Sequence, residues 1–295
     1  MQLQRILQYE LIEKLGEGPH GESYRARDTV AGRTVVLKQI NFDVFTDDAQ
    51  IDLFKASMAR LIPVIHPNLA ALYEVVETDD AVCLAHEYID GESIGTVIER
   101  GALTYSGFLD MAIQITDGIK ELHTQGLIHG HISTDNIMVD RGGTVKLLDY
   151  GLPALGPGYV EDESSDSERV TVFNAEKPEQ PADADADFFA LGGLFYEMLT
   201  GRARYSDQGE ESNTGMAVLA PEARLLVEKL LSADKEGQFV SADELLVTLK
   251  EIKQFVENPP EEEDRKHESP RAYLIISIIA FLLIILWWAV TTFRK

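Results

Sequence analysis

Two segments of the chain decide its fold: Ile128–Val139, with the sequence IHGHISTDNIMV, and Val145–Gly151, with the sequence VKLLDYG. A helix is predicted directly before the first segment, because apolar side chains recur there at helical spacing and make one face: Phe108, Ala112, Ile115, Ile119 and Leu122. The histidine, asparagine and aspartate residues that follow are of the types that carry acid–base chemistry or bind hard metal ions. They decide whether this protein is an enzyme.

The composition is that of a globular protein with a strong acidic bias. The 295 residues, 45% hydrophobic and 26% charged, suffice for one two-lobed domain and a small extra segment. The formal net charge of −24 argues against a nucleic-acid partner, because phosphate backbones are bound through Lys and Arg. The single cysteine, Cys83, excludes an internal disulfide and is expected to be inert in a buried strand. No apolar run follows the Arg near the N-terminus, so no signal peptide is predicted.

A glycine-rich turn and a lysine-bearing strand are predicted in the first forty residues. Gly16, Gly18 and Gly21 give the pattern G-x-G-x-x-G between two strand patterns, which by itself also fits an ordinary hairpin turn. Residues 34–40, TVVLKQI, are a β-branched run with one lysine, Lys38. Lys38 is either a solvent-facing lysine of an edge strand or a phosphate ligand, and its distance after the glycine turn favours the second.

Together these motifs resemble those of the bacterial-type serine/threonine protein kinases, and they occur in that family's order. His129 and Asn136 match the catalytic-loop motif His-Arg-Asp-x-x-x-x-Asn, and Asp149 with Gly151 matches the metal-binding Asp-Phe-Gly turn. The resemblance covers about residues 9–255. It implies an α+β fold with two lobes, a small β-rich lobe over residues 9–88 and a large helical lobe over residues 89–256.

The resemblance also implies ATP and Mg²⁺ as cofactors and assigns residues to them. In the family a glycine loop covers the phosphates, a strand lysine holds them, backbone groups of the hinge bond adenine, and two side chains hold the metal. The residues at the nucleotide-binding positions are Gly16, Gly18, Gly21, Lys38, Glu87 and Ile89. Those at the metal-binding positions are Asn136 and Asp149, although both side chains could instead cap turns.

Several residues differ from the family at positions that take part in catalysis. His131 stands in place of the catalytic Asp, Gly130 in place of the Arg before it, and Ser133 in place of the usual Lys. The helix predicted over residues 47–62 has Ser57 at the position of the Glu that pairs with the strand lysine, and Asp52 is a poor substitute. Since positioned acid–base groups contribute about 10²- to 10⁴-fold, His131 is expected to cost much of the rate.

The adenine slot departs from the family as well. Val36 replaces a small Ala and should narrow the slot, and Ser23 replaces a Val that packs on the adenine ring. His86 stands at the gatekeeper position, where an apolar residue is usual. It is expected either as a satisfied core histidine or as a pocket residue, and the sequence favours neither.

The C-terminal residues predict a membrane anchor. Residues 257–271 form a charged, proline-containing linker that is expected to be disordered. Residues 272–293 carry no formal charge and would span roughly 33 Å as a helix, enough to cross a bilayer. A short tail, residues 294–295, follows. The distribution of Lys and Arg, with the missing signal peptide, predicts a single-pass membrane protein whose kinase-like domain is cytoplasmic.

Three functions are compatible with these observations. The first is a membrane-held pseudokinase that binds ATP and acts as a scaffold or allosteric regulator in signalling. The second is a weakly active serine/threonine kinase, because phosphoryl transfer depends mostly on positioning and charge. The third is a structural adaptor that binds no nucleotide. The sequence identifies neither a protein partner nor a protein substrate.

Overall fold

The structure is a computed structural model, and it describes residues 4–18, 21–152, 184–202, 213–232 and 237–259. Its strands are β1 (Arg5–Ile6), β2 (Tyr9–Gly18), β3 (Gly21–Asp28), β4 (Arg33–Asn41), β5 (Leu72–Glu77), β6 (Ala81–Glu87), β7 (Gly91–Ser93), β8 (Ile137–Asp140) and β9 (Val145–Leu147). Its α-helices are α1 (Asp48–Ala59), α2 (Ile94–Glu99), α3 (Tyr105–Thr124), α4 (Ala184–Thr200), α5 (Pro221–Leu230) and α6 (Ala242–Glu257). Short 3-10 helices lie at Phe42–Val44 and Asn213–Val218.

The chain divides by compactness into two units, Met1–Lys250 and Glu251–Lys295. Of the second, the structure describes residues 251–259, which contain the end of α6.

The small lobe is an antiparallel sheet of six strands in the order β1-β2-β3-β4-β6-β5. Its strands are rich in β-branched and aromatic residues, and alternate side chains enter the core. Leu37 and Cys83 are fully buried in this core, so the predicted place of the cysteine in a buried strand is confirmed. Burial raises the pKa of the Cys83 thiol to about 11.

Helix α1 packs against β5 through an apolar face that includes Phe54 and Met58. The helix begins at Asp48 because the Asp47 side chain accepts a hydrogen bond from the Gln50 amide at 2.8 Å, which satisfies one otherwise unpaired amide of the first turn. Ser57 lies on the buried face of this helix and is 5% exposed.

The large lobe is organised around α3, which has the buried stripe predicted from its spacing. Helix α3 contacts α4 and strand β9, and α4 contacts α5. Gly118 allows the close approach of α3 to β9, because a Cβ atom at this position would lie 2.7 Å from Cδ1 of Leu147. Strands β7, β8 and β9 form a small antiparallel sheet, and β8 and β9 contain or adjoin the residues of the functional site.

The segment before β5 attaches the small lobe to β9. Asn68 donates its side-chain amide to the Val145 carbonyl at 2.9 Å, and the Leu147 amide donates to the Asn68 carbonyl at 2.9 Å. The Ala70 amide in turn donates to the Leu147 carbonyl at 2.9 Å. These bonds fix β9, and therefore the turn that follows it, against the base of the small lobe.

One part of the predicted fold class is wrong. The bilobal kinase-like fold is present, but within the five described ranges no helix is long and apolar enough to cross a membrane, so the predicted transmembrane helix is not seen. The prediction rested on the uniform apolar composition of residues 272–293, and these residues, like the predicted linker beyond residue 259 and the tail, lie outside the described part of the chain. The cytoplasmic location of the kinase-like domain stays a prediction.

Candidate functional site

A cavity of about 350 Å³ lies at the base of the small-lobe sheet. Its apolar walls come from both lobes: Leu15, Val36, Ala70, Ile89, Met138 and Leu148. Its polar side chains include Ser23, Lys38, His86, Glu87 and Asp149. Of the predicted nucleotide and metal ligands, Lys38, Glu87, Ile89 and Asp149 therefore lie together around one cavity, and so does Val36, which was predicted to narrow the slot.

Lys38 and Asp149 form a direct ion pair in this cavity. The Lys38 Nζ atom lies 2.6 Å from Oδ2 of Asp149, and the two side chains are 11% and 28% exposed. Burial alone would raise the pKa of Asp149, but the Lys38 ammonium, together with His86 and His129, outweighs it and holds the pKa below its usual value. Asp149 has a φ of 54°, in the left-handed region, so the backbone turns sharply at this residue.

Among the described contacts, Lys38 pairs with Asp149 and with no carboxylate of α1. Ser57 occupies the helix position at which a glutamate was expected in an active kinase, and it is buried. Asp52, the poor substitute, bonds Lys55 at 2.8 Å, and its side chain is 76% exposed. Lys38 therefore pairs with the residue that is also the predicted metal ligand.

His86 is a pocket residue, so the structure settles an alternative that the sequence left open. It lies on β6 opposite Val36 of β4 and lines the cavity. Its Nε2 atom is buried and has no hydrogen-bond partner among the described residues. Burial lowers the pKa of His86 from 6.5 to about 4, with Asp149 opposing the shift and Lys38 adding to it. The imidazole is therefore neutral at pH 7.

The glycine turn is present as a hairpin between β2 and β3. Gly16 pairs with Ser23 and Gly18 with Gly21, while residues 19 and 20 lie outside the described part of the chain. Gly21 has a φ of 122°, and a Cβ atom there would lie 1.9 Å from the Gln39 carbonyl oxygen. Only glycine fits this close contact with β4. The predicted role of the three glycines over phosphates stays a prediction.

A buried aspartate on α4 holds the loop that carries His129 and Gly130. Asp187 accepts hydrogen bonds from the backbone amides of these two residues, each at 2.9 Å, and from Nε2 of His123 at 2.9 Å. Burial alone would raise the pKa of Asp187, but the His123 bond, the His129 ring and the two amides lower it. Asp187 therefore braces the backbone of this loop.

His129 is fully buried beneath this loop. Its Nδ1 atom accepts a hydrogen bond from the His131 amide at 3.3 Å, and its Nε2 atom has no partner among the described residues. Burial lowers the pKa of His129 to about 4, with Asp187 opposing the shift and His131 adding to it. The side chain is an internal support of the loop and is neutral at pH 7.

His131, the residue in the catalytic position, points its ring at the main chain beyond the Asp149 turn. Its Nε2 atom lies 2.8 Å from the Leu152 carbonyl oxygen. A carbonyl oxygen only accepts, so Nε2 must carry the proton of this bond. In this arrangement Nε2 cannot accept a proton from a hydroxyl group.

Asn136 and Asp149 are the two residues that could hold a metal ion. The Asn136 side-chain nitrogen donates to the His131 carbonyl at 2.8 Å, which leaves its oxygen as the atom a metal would take. The Leu148 amide donates to the Asn136 carbonyl at 2.8 Å and so links the two residues. Within the described ranges, this site included, there is no group of three or more His, Cys, Asp or Glu side chains that could hold a metal ion.

The chemical types of these side chains fit a magnesium–nucleotide complex. Mg²⁺ is commonly bound by one or two protein oxygens together with the phosphates of its substrate, which the Asp149 carboxylate and the Asn136 amide oxygen match. The Lys38 ammonium would be available to a phosphate within the same cavity, whose walls are apolar enough for a base. Bound Mg²⁺ would supply neutralisation of phosphate charge.

Three features of the site were not found from the sequence. Glu87 was singled out for its backbone, but its side chain also bonds Lys146 at 2.9 Å and accepts from the Ala71 amide at 3.1 Å. The Tyr150 hydroxyl, absent from a phenylalanine, donates to the Ala70 carbonyl at 2.8 Å. Gly130 has a φ of 78°, which glycine adopts without strain. The sequence did carry one signal for Tyr150, which is a residue with a hydroxyl group at the position where the family has phenylalanine.

The sequence matches the protein kinase domain family over residues 9–258. It is 28% identical to the serine/threonine-protein kinase PrkC of Bacillus subtilis over 207 residues, which are 69% of this chain and 32% of PrkC. It is 29% identical to a probable serine/threonine-protein kinase of Streptomyces coelicolor over 266 residues, 82% of this chain and 39% of that protein. This chain thus spans well under half the length of either relative.

A solved structure supports the fold. The kinase domain of PknI from Mycobacterium tuberculosis superposes with a TM-score of 0.66 at 18% identity, covering 85% of this chain and 98% of that domain. The chain therefore belongs to the protein kinase domain family, and the predicted resemblance to bacterial-type serine/threonine kinases is confirmed. The family generally uses ATP and Mg²⁺.

Proposed function

We propose that this protein binds Mg-ATP in the cavity beside Lys38 and Asp149 and acts as a pseudokinase, a scaffold or allosteric regulator of a protein partner. Gly16, Gly18 and Gly21 would cover the phosphates, Lys38 would hold them, and the backbone of Glu87 and Ile89 would bond the base. Asn136 and Asp149 would bind the metal. These are the ligands that the family resemblance implies.

The observation that carries this proposal is the hydrogen bond from His131 to Leu152. The substrate hydroxyl of a protein kinase needs an acceptor at this position to orient it for attack. Nε2 of His131 is instead a donor, 2.8 Å from the Leu152 carbonyl. An imidazole ring also brings no negative charge to the site. The residues proposed to bind Mg-ATP are thus kept, while the residue that would accept a hydrogen bond from the substrate hydroxyl is changed to His131.

The surrounding substitutions support loss of transfer as well. Ser57 leaves Lys38 without a partner on α1, and Ser133 removes the lysine usual in the catalytic loop. A weakly active serine/threonine kinase remains the second candidate, because Lys38 and Asp149 both line one cavity and Asn136 adjoins it. A nucleotide-free adaptor is kept as the third candidate, because the cavity of about 350 Å³ is near the lower end of the range for ligand sites.

Mg-ATP is expected to raise the unfolding temperature of the full chain by several degrees, because a ligand at about 100 times its Kd stabilises the native state by about 2.7 kcal/mol. The Lys38→Met variant should lose most of this shift, measured against its own unliganded temperature. The matched control is Lys120→Met, which removes a lysine whose ion pair with Asp243 is largely exposed.

The result separates the candidates. A shift in the wild type and in Lys120→Met, but not in Lys38→Met, supports nucleotide binding at the proposed site. No shift of the wild type at millimolar Mg-ATP would reject the proposal in favour of the nucleotide-free adaptor.

A further inference from the structure

The side chain of His131 joins the catalytic loop to the chain beyond the Asp149 turn. Its Nε2 atom donates to the Leu152 carbonyl oxygen at 2.8 Å, and the ring is half-buried. The rest of the residue is fixed too. Its amide donates to Nδ1 of His129 at 3.3 Å, and its carbonyl accepts from the Asn136 side chain at 2.8 Å. The imidazole therefore projects from a backbone held at both of its polar groups.

Two main-chain hydrogen bonds flank Asp149 and attach the same turn to the same loop. The Leu148 amide donates to the Asn136 carbonyl at 2.8 Å, and the Gly151 amide donates to the His129 carbonyl at 3.0 Å. The His131 bond acts one residue further along the chain. It thus extends the attachment beyond the point that the main-chain bonds reach.

The turn requires such support because of its backbone conformation. Asp149 has a φ of 54° and Gly151 a φ of 66°, both in the left-handed region. A residue other than glycine is disfavoured there, and it persists only where the surrounding structure holds it. In this conformation Asp149 contacts Lys38 in the cavity. Contacts on either side of Asp149 therefore determine whether its carboxylate stays in the site.

We propose that His131 is a positioning residue, which holds the Asp149 turn through Leu152 and touches no ligand itself. An aspartate at this position would have no proton to give at neutral pH and would set a carboxylate against the Leu152 carbonyl. The change from Asp to His therefore adds a hydrogen bond to the Leu152 carbonyl at the position where the family has its hydroxyl acceptor. The inference deepens the proposed function. It rests on that function in one respect, because it takes Asp149 to be a metal ligand.

Hydrogen exchange of the unliganded full chain tests this inference. The peptide containing residues 147–152 is followed by mass spectrometry in the wild type, His131→Ala, His131→Asp and His131→Gln. Loss of one hydrogen bond should raise the exchange rate of the Gly151 amide roughly 3- to 10-fold in the Ala and Asp variants. Glutamine carries an N–H at a similar reach, so His131→Gln should stay within about 2-fold of the wild type.

Ser133→Ala is the control, because Ser133 lies on the same loop with an exposed side chain and should leave exchange unchanged. The inference is overturned if His131→Ala exchanges like the wild type, or if His131→Gln exchanges as fast as His131→Asp. The second comparison decides the matter even if the alanine variant fails to fold. Since no nucleotide is present, the outcome is independent of whether the wild type binds Mg-ATP.

Discussion

The Asp187→Ala variant is expected to lose about 3–5 kcal/mol of unfolding free energy, a large part of the stability of an ordinary domain. The Asp187 carboxylate is 1% exposed and accepts three hydrogen bonds, from the amides of His129 and Gly130 and from His123. Alanine would leave the three donors without this acceptor, and the His129 amide among them is buried. Denaturant unfolding of the purified chain at pH 7 measures the loss.

Two further variants make the expectation specific to these bonds. Asp187→Asn keeps one acceptor oxygen, so its loss should be smaller, about 1–3 kcal/mol. Asp90→Ala removes a carboxylate whose ion pair with Arg141 is exposed, and it should cost less than about 1 kcal/mol. An Asp187→Ala variant as stable as Asp90→Ala would contradict the role given to Asp187.

The stability of the wild type should fall as the pH is lowered from about 6.5 towards 4. His86 and His129 each have a pKa of about 4 in the folded protein, below the ordinary 6.5, because of burial. Over this range the unfolded chain therefore binds more protons than the folded one, so the free energy of unfolding decreases with falling pH. Each histidine accounts for about 2 kcal/mol between pH 7 and pH 5.

The contribution of His86 can be removed separately. Leucine at position 86 restores an apolar residue and breaks no hydrogen bond of the Nε2 atom, which has no partner among the described residues. The His86→Leu variant should therefore be more stable than the wild type at pH 5 and should show about half its loss between pH 7 and pH 5. The account of His86 would be refuted by equal slopes in variant and wild type, measured by denaturant unfolding at several pH values.

Features that depend on local pattern could be predicted from the sequence. The spacing of apolar residues predicted α3, and the β-branched run around Lys38 predicted β4, because periodicity records which face of an element is buried. The order of the kinase motifs predicted the bilobal fold. The predicted fold class also included a transmembrane helix at residues 272–293, and none is seen in the part of the chain that the structure describes.

The contacts within the site could not be predicted in the same way. The pair of Lys38 with Asp149 joins residues 111 positions apart, and the bond from His131 to Leu152 depends on where a turn of unusual backbone conformation ends. The absence of a glutamate at position 57 indicated that Lys38 would lack its usual partner. Which carboxylate would replace it depends on tertiary distances that no local pattern contains.

The most direct test of the central claim is transfer of labelled phosphate from ATP, with Mg²⁺ or Mn²⁺, by the full chain beside an Asp149→Ala control. The proposal predicts that the wild type binds the nucleotide yet transfers no more phosphate, to itself or to an added protein, than the control does. Transfer by the wild type that Asp149→Ala abolishes would contradict the proposal and identify the protein as an active kinase that tolerates His131.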